Sequence, residues 1–183
     1  MTENERLAEV QISSEDIFDG HILHVKKDGV KLPNGNTSTR EIIRHVGAVC
    51  VIPITDDMEA IVERQFRYPI NMVITEVPAG KLDSFSEDRL KAAMRELREE
   101  TGYQADEWID MGIYYPAAAY SDEKITMYMA KGLHKGEQDL DADEFLDVLK
   151  VPLKDLVDDV VNGIITDGKS QVCILKAARI LGL

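Results

Sequence analysis

The sequence predicts an α+β fold, an α/β/α sandwich in which helices cover a mixed β-sheet, preceded by an antiparallel β extension. Three observations predict it. Gly47 to Ile54 is a nearly continuous apolar run, as expected of a strand covered on both faces. Between Ser86 and Thr101 the period of the apolar residues changes to that of a helix. Two further helical segments close the chain.

Taken in order, His21 to about Leu32 reads as the first strand, Pro33-Asn34-Gly35 as a tight turn, and Thr37 to about His45 as the strand completing a hairpin. These residues, 1–45, form the N-terminal extension, and 46–183 the main domain. In the latter, Gly47 to Ile54, Glu59 to Phe66 and Asn71 to Val77 are strand candidates. Leu90, Ala93, Met94 and Leu97 then fall at i, i+3, i+4 and i+7, the spacing of a helix with one buried face. Ser86 is the expected N-cap, followed by Glu87 and Asp88, and Gly102 is the expected stop. Strands are expected again at Lys124 to Ala130 and Asp143 to Val151, then helices from Pro152 to Asn162 and Lys169 to Leu181.

Composition narrows the function. A chain of 183 residues, 44% of them hydrophobic, supports one core with a small extension. The net charge of −13 comes without a basic stripe, which argues against nucleic acid as a partner. No apolar run approaches the roughly 18 residues of a membrane helix. The start, Met1-Thr-Glu-Asn-Glu-Arg, lacks the basic-then-apolar order of a signal peptide, so cytoplasm is the expected compartment. Cys50 and Cys173 sit among apolar neighbours and read as buried free thiols, and the four histidines form no metal-binding pattern.

The chemistry-bearing segment is Arg95-Glu96-Leu97-Arg98-Glu99-Glu100-Thr101-Gly102-Tyr103. At about 100° per residue, Glu96, Glu99 and Glu100 share about 100° of arc beside the apolar stripe, at the border of core and solvent. Each like-charge pair at i,i+3 or i,i+4 costs roughly 0.2–0.5 kcal/mol, and the negative end of the helix dipole adds to this. Bound divalent cations would reverse the sign. The same residues also read as a solvated charged face neutralised by Arg95 and Arg98.

The segment has company: Gly80 to Tyr103 resembles the Nudix box, GX5EX7REUXEEXGU, where U is aliphatic. Glu87, seven further residues, and Arg95 to Tyr103 match its second half in register. Six residues, not five, separate Gly80 from Glu87, and Tyr103 replaces an aliphatic residue. The resemblance implies the Nudix fold and a diphosphate hydrolase using Mg2+, with Mn2+ a substitute. It implies Glu96, Glu100 and the carbonyl of Ala79 as metal ligands, and Glu99 as a ligand or catalytic group beside them. Gly80, Glu87, Arg95 and Gly102 would shape the box.

Over about residues 15 to 180 the chain is most similar to the ADP-ribose pyrophosphatases. The stretches that carry this are 32–35, 40–48, Arg64-Gln65-Phe66-Arg67-Tyr68-Pro69 and Thr75-Glu76-Val77-Pro78-Ala79-Gly80-Lys81. That likeness implies a swapped homodimer in which the extension contributes to the nucleoside pocket. It also implies Arg67 as a phosphate-binding group, Glu76 near the terminal ribose and Arg40 near the adenine. Arg40 and Arg64 read equally well as exposed strand arginines. Counting from the box places Glu123 at a catalytic glutamate of the family; it also reads as the start of the next strand. Ala118 stands where a proline often accompanies ADP-ribose specificity. The expected reaction is hydrolysis of ADP-ribose to AMP and ribose 5-phosphate. The alternatives are GDP-mannose or another nucleoside diphosphate sugar, a dinucleoside polyphosphate, or a sensor that binds without cutting. Trp108 reads as a packed core residue, or else as a base-stacking platform.

Overall fold

The computed structural model describes residues 4–140, 142 and 144–183, which divide into two units: the chain up to Val46 together with Ala117–Glu123, and Gly47–Pro116 together with Lys124–Leu183. The first unit is an antiparallel sheet of β1 (Val10–Asp19), β2 (His24–Lys31) and β3 (Thr37–Arg44), in the order β1-β2-β3. The expected hairpin is β2–β3. Its turn uses Gly35 at φ +87°, where the Gly35 N–H donates to the Leu32 carbonyl at 2.9 Å. Strand β1 was not expected. All ten of its residues are exposed, so no buried face imposes an apolar alternation for a reader to find. Side chains tie it to β2: the Ser14 hydroxyl donates to Asp28 at 2.7 Å, and Lys26 pairs with Asp16 at 2.6 Å.

The second unit carries the mixed sheet, ordered β7-β4-β9-β8: β7 (Ala79–Lys81), β4 (Ala48–Pro53), β9 (Ile125–Lys135) and β8 (Tyr103–Tyr114). β4 and β9 are parallel and the outer pairs antiparallel. A second sheet, ordered β10-β5-β6, joins β10 (Leu146–Pro152), β5 (Glu59–Arg67) and β6 (Met72–Glu76). The helices are α1 (Arg89–Thr101), α2 (Leu153–Val161) and α3 (Gly168–Leu181). Every residue of β4 is buried. Cys50 and Ile52 join Cys173 and Ile174 of α3 in the main core cluster, and alternation turns Val49 and Val51 to the opposite face. Helix α1 packs against β4, β7 and β8, and α3 against β4, β8 and β9.

Three expectations are corrected. The cap of α1 is Asp88, which accepts from the Lys91 N–H at 2.9 Å, and not Ser86. A shorter side chain acid at the last extended residue makes the better cap, and Glu87 is thereby left in the loop. Strand β8 was missed because its exposure follows no clean alternation. Strand β10 begins at Leu146, and Asp143, the expected start, lies outside the described residues. Both cysteines are free and buried, as expected, and their sulfurs lie 3.4 Å apart across β4 and α3. Among the described residues no helix is long and apolar enough to cross a membrane.

Candidate active site

The site is built where α1 ends against β7. The apolar stripe of α1 buries Ala92, Ala93 and Leu97, and this rotation brings Glu96 and Glu100 inside with them, at 8% and 4% exposure. Gly102, at φ +73°, ends the helix as expected, and its N–H donates to the Arg98 carbonyl. The Ala79 N–H donates to Glu100 Oε2 at 2.8 Å, which anchors the loop before the helix to its last turn.

Gly80 is required for a different reason. A Cβ built on it would lie 2.0 to 2.3 Å from Cδ, Oε1 and Oε2 of Glu96. The Glu96 carboxylate therefore occupies the space that any other residue's side chain would fill. Arg95 organises the rest: Nη1 contacts Glu96 Oε1 at 2.8 Å and Glu99 Oε2 at 3.1 Å, and Nη2 reaches Glu87 at 3.4 Å. Glu87 Oε2 accepts from the Asp83 N–H at 2.6 Å, so the box glutamate holds its own loop.

Behind these residues lies a second polar group. Arg67 donates through Nε and Nη2 to the two oxygens of Glu76, at 2.6 and 3.0 Å. Lys169, in the first turn of α3, binds Glu76 as well and also Asp167, the cap of α3. The Ser170 hydroxyl donates to Asp167 at 2.5 Å and accepts from the Val77 N–H at 2.9 Å. Glu63 stands opposite Glu76 in the β5–β6 register and is 0% exposed. Neither of its carboxylate oxygens has a hydrogen-bond partner.

Burial dominates the electrostatics. It pushes the Glu96 carboxyl up to about 7, against the pull of Arg95. It raises Glu100 far above the usual carboxylate range, helped by repulsion from Glu63 and then Glu96, and opposed by the Ala79 N–H. Glu63 is likewise raised by burial and by Glu76, with Lys169 and Arg67 opposing. For Lys169, burial works against the charge, but Asp167 and Glu76 outweigh it and hold the ammonium protonated.

The structure thus brings together Ala79, Gly80, Glu87, Arg95, Glu96, Glu99, Glu100 and Gly102, with Arg67 and Glu76 in the adjoining group. Glu76 is 2% exposed, with both oxygens taken by cations. Arg40 and Glu123 belong to the first unit. There Arg40 pairs with Glu9, and Glu123 lies 3.9 Å from His45 Nδ1. Trp108 is half-buried on β8, edge-on to Tyr128 at 6.2 Å between ring centres, with its N–H donating to the Ala105 carbonyl. Glu63, Asp167, Lys169 and Ser170 were not singled out from the sequence. The available signal was Glu63 itself, a lone acid closing the run Ala60-Ile61-Val62.

All the donors offered here are oxygens, the ligands a hard divalent cation takes. Among the described residues no three His, Cys, Asp or Glu side chains gather closely enough to hold an ion between them. Like charges keep apart, and Glu96 and Glu99 close on Arg95 instead. The donor chemistry, the orphaned Glu63 oxygens and the Gly80 cradle fit Mg2+ or Mn2+.

Comparison with known proteins agrees with this geometry. The profile of the NUDIX domain matches residues 44–177, and that of the nucleoside diphosphate sugar hydrolase N-terminal domain matches residues 9–43. A methanol dehydrogenase activator from Bacillus methanolicus is 40% identical over 168 residues, 91% of this chain and 90% of its own. An ADP-ribose pyrophosphatase from Bacillus subtilis is 38% identical over 170 residues, 92% and 91% of the two chains. A solved structure described as an ADP compounds hydrolase superimposes with a TM-score of 0.85 over 95% of this chain and 94% of its own. At 22% identity that likeness speaks for the fold alone.

Proposed function

The chain belongs to the Nudix family, as a pyrophosphohydrolase, and we propose that it hydrolyses ADP-ribose to AMP and ribose 5-phosphate with Mg2+, Mn2+ being a competent substitute. The observation that carries the reading is the seating of Glu96 on Gly80 beside Glu100 and Ala79, with Arg67 in the adjoining group. Glu96, Glu100 and the Ala79 carbonyl would hold the metal, with Glu99 next to them. A bound divalent ion supplies charge neutralisation at the diphosphate and a more acidic water.

The side chains do the positioning on which phosphoryl transfer depends. Arg67, oriented by its two bonds to Glu76, offers a fixed guanidinium to a phosphate oxygen. Glu76 acts through Arg67 and lies toward the ribose side. Arg95 holds Glu96 and Glu99 in place and, with Glu87, the loop before the helix. Glu99 and Glu123 are the two candidates for orienting the attacking water, and Arg40 for the adenine side. The extension would pair two chains into a homodimer: β1 leaves Val10, Ile12, Ile17 and Phe18 more than half exposed, a face that suits a second copy.

A substrate panel with Mg2+, scored by product identity, tests the reading. ADP-ribose should be the best substrate; faster turnover of GDP-mannose or a dinucleoside polyphosphate overturns the choice, and binding without turnover makes the protein a sensor. The activator named among its relatives favours a second reading, action on a dehydrogenase. Running the panel with and without a methanol dehydrogenase separates the two.

A further inference from the structure

Four glutamates are buried in and behind the end of α1: Glu63, Glu76, Glu96 and Glu100. Two of them have cations in contact. Glu76 is bound by Arg67 and Lys169, and Glu96 by Arg95. For the other two, no lysine, arginine or histidine among the described residues makes an ion pair. Glu100 has the Ala79 N–H, and Glu63 has nothing on either oxygen. Of the charged groups around Glu100, Glu63 repels it most strongly, ahead of Glu96 one helical turn away. Neither carboxyl can ionise cheaply without a cation in contact, and on the Glu63 side the site is closed to water.

No hydrogen-bond donor reaches either oxygen of Glu63 to stand in for a cation. Nor is a protein cation free to move in. Lys169 is held between Glu76 and Asp167, and Arg67 is fixed in place by its two bonds to Glu76. One divalent ion balances the pair. Mg2+ commonly binds through one or two carboxylates while keeping several waters, so a cage of three side chains is not needed.

We propose that Glu63, on β5 and outside the glutamate-rich segment of α1, is a cation-holding residue of the same centre, sharing one divalent ion with Glu100 on the buried side of the cluster. The inference rests on reading the α1 carboxylates as a metal centre.

The test uses Glu63→Gln, which keeps the shape and removes the charge, and Glu63→Met, an apolar side chain of similar length in case the amide does not fold. Mn2+ serves as the probe, titrated by electron paramagnetic resonance, with thermal melting in EDTA and in Mg2+ as the second readout. Expected is a loss of tenfold or more in the affinity of one Mn2+ site. A higher melting temperature in EDTA and a smaller stabilisation by Mg2+ should accompany it. A Mn2+ isotherm identical to wild type overturns the proposal, and if the EDTA melting temperature still rises, Glu63 is a buried acid that keeps its proton. Glu96→Gln serves as the comparison. If wild type binds no Mn2+, the metal reading of α1 fails as well. If wild type binds and only Glu96→Gln loses affinity, that reading stands and Glu63 alone is removed.

Discussion

Replacing Gly80 by alanine separates what the fold needs from what the chemistry needs. The added Cβ would lie 2.0 Å from Glu96 Cδ and 2.1 and 2.3 Å from its two oxygens, with no backbone atom among the three nearest neighbours. An ordinary contact is about 3.5 Å or more, so the carboxylate must retreat by about 1.5 Å. For folding this is a modest demand, because the obstacle is the far end of a side chain with rotamers to choose from. The cost should stay near the low end of the roughly 1–3 kcal/mol typical of overpacking. For catalysis the same retreat is large: misplacing a positioned group by about 1 Å can cost on the order of 100-fold in rate. Steady-state turnover of ADP-ribose at saturating Mg2+, read beside a thermal melt, measures both. The expected result is at least a 100-fold fall in kcat with a melting temperature only a few degrees lower. Turnover within tenfold of wild type would mean that Glu96 does its work from some other position, and the Gly80 cradle would lose its functional meaning.

Other predictions follow from the same geometry. Glu100→Gln keeps the acceptor for the Ala79 N–H while removing the charge, so turnover should drop by orders of magnitude with the circular dichroism spectrum unchanged; full activity would remove Glu100 from the metal site. Asp88→Ala deletes the cap of α1 and should cost about 0.5–2 kcal/mol in urea unfolding, with kcat nearly unchanged; no loss of stability would move the helix start elsewhere. In EDTA, stability should fall as pH rises from about 4.5 to 7. In that window Glu96 keeps a proton in the folded chain that the unfolded chain has released, so the unfolded state binds fewer protons and the slope is negative. The effect is on the order of a few kcal/mol. Glu96→Gln should make the slope shallower, Glu63 and Glu100 carrying the rest because burial raises them too. Mg2+ should reverse it because ligation needs the ionised form, and equal melting temperatures at pH 5 and 7.5 would contradict the raised carboxyls.

The fold was legible wherever burial imposed a period. β4 is apolar at every position because it is covered on both faces, and α1 shows its stripe at Leu90, Ala93 and Leu97 because only one face is covered. Strand β1 has no covered face, and its side chains answer to Asp28 and Lys26 through pairings that only the register reveals. The start of α1 was misplaced by two residues because Ser86, Glu87 and Asp88 offer rival acceptors. Which of them caps depends on where Glu87 is needed, and Glu87 is taken by Asp83 N–H and Arg95.

At the site, the local part was readable and the distant part was not. Glu96, Glu99 and Glu100 lie within five residues, so helical geometry alone puts them on one face. Glu63 lies 33 residues before Glu96, and Lys169 is 73 after it, so no spacing rule connects them. Their meeting depends on β5 pairing with β6 and on α3 starting beside Glu76, which are properties of the folded sheet. Burial also changes what a glutamate means. On an exposed strand Glu63 would be an ordinary solubilising charge, whereas with both oxygens enclosed and unpartnered the same side chain demands a counter-charge before it will ionise. Arg67 and Lys169 answer that demand for Glu76 alone, so the remaining negative charge is what a divalent cation at this centre would have to match.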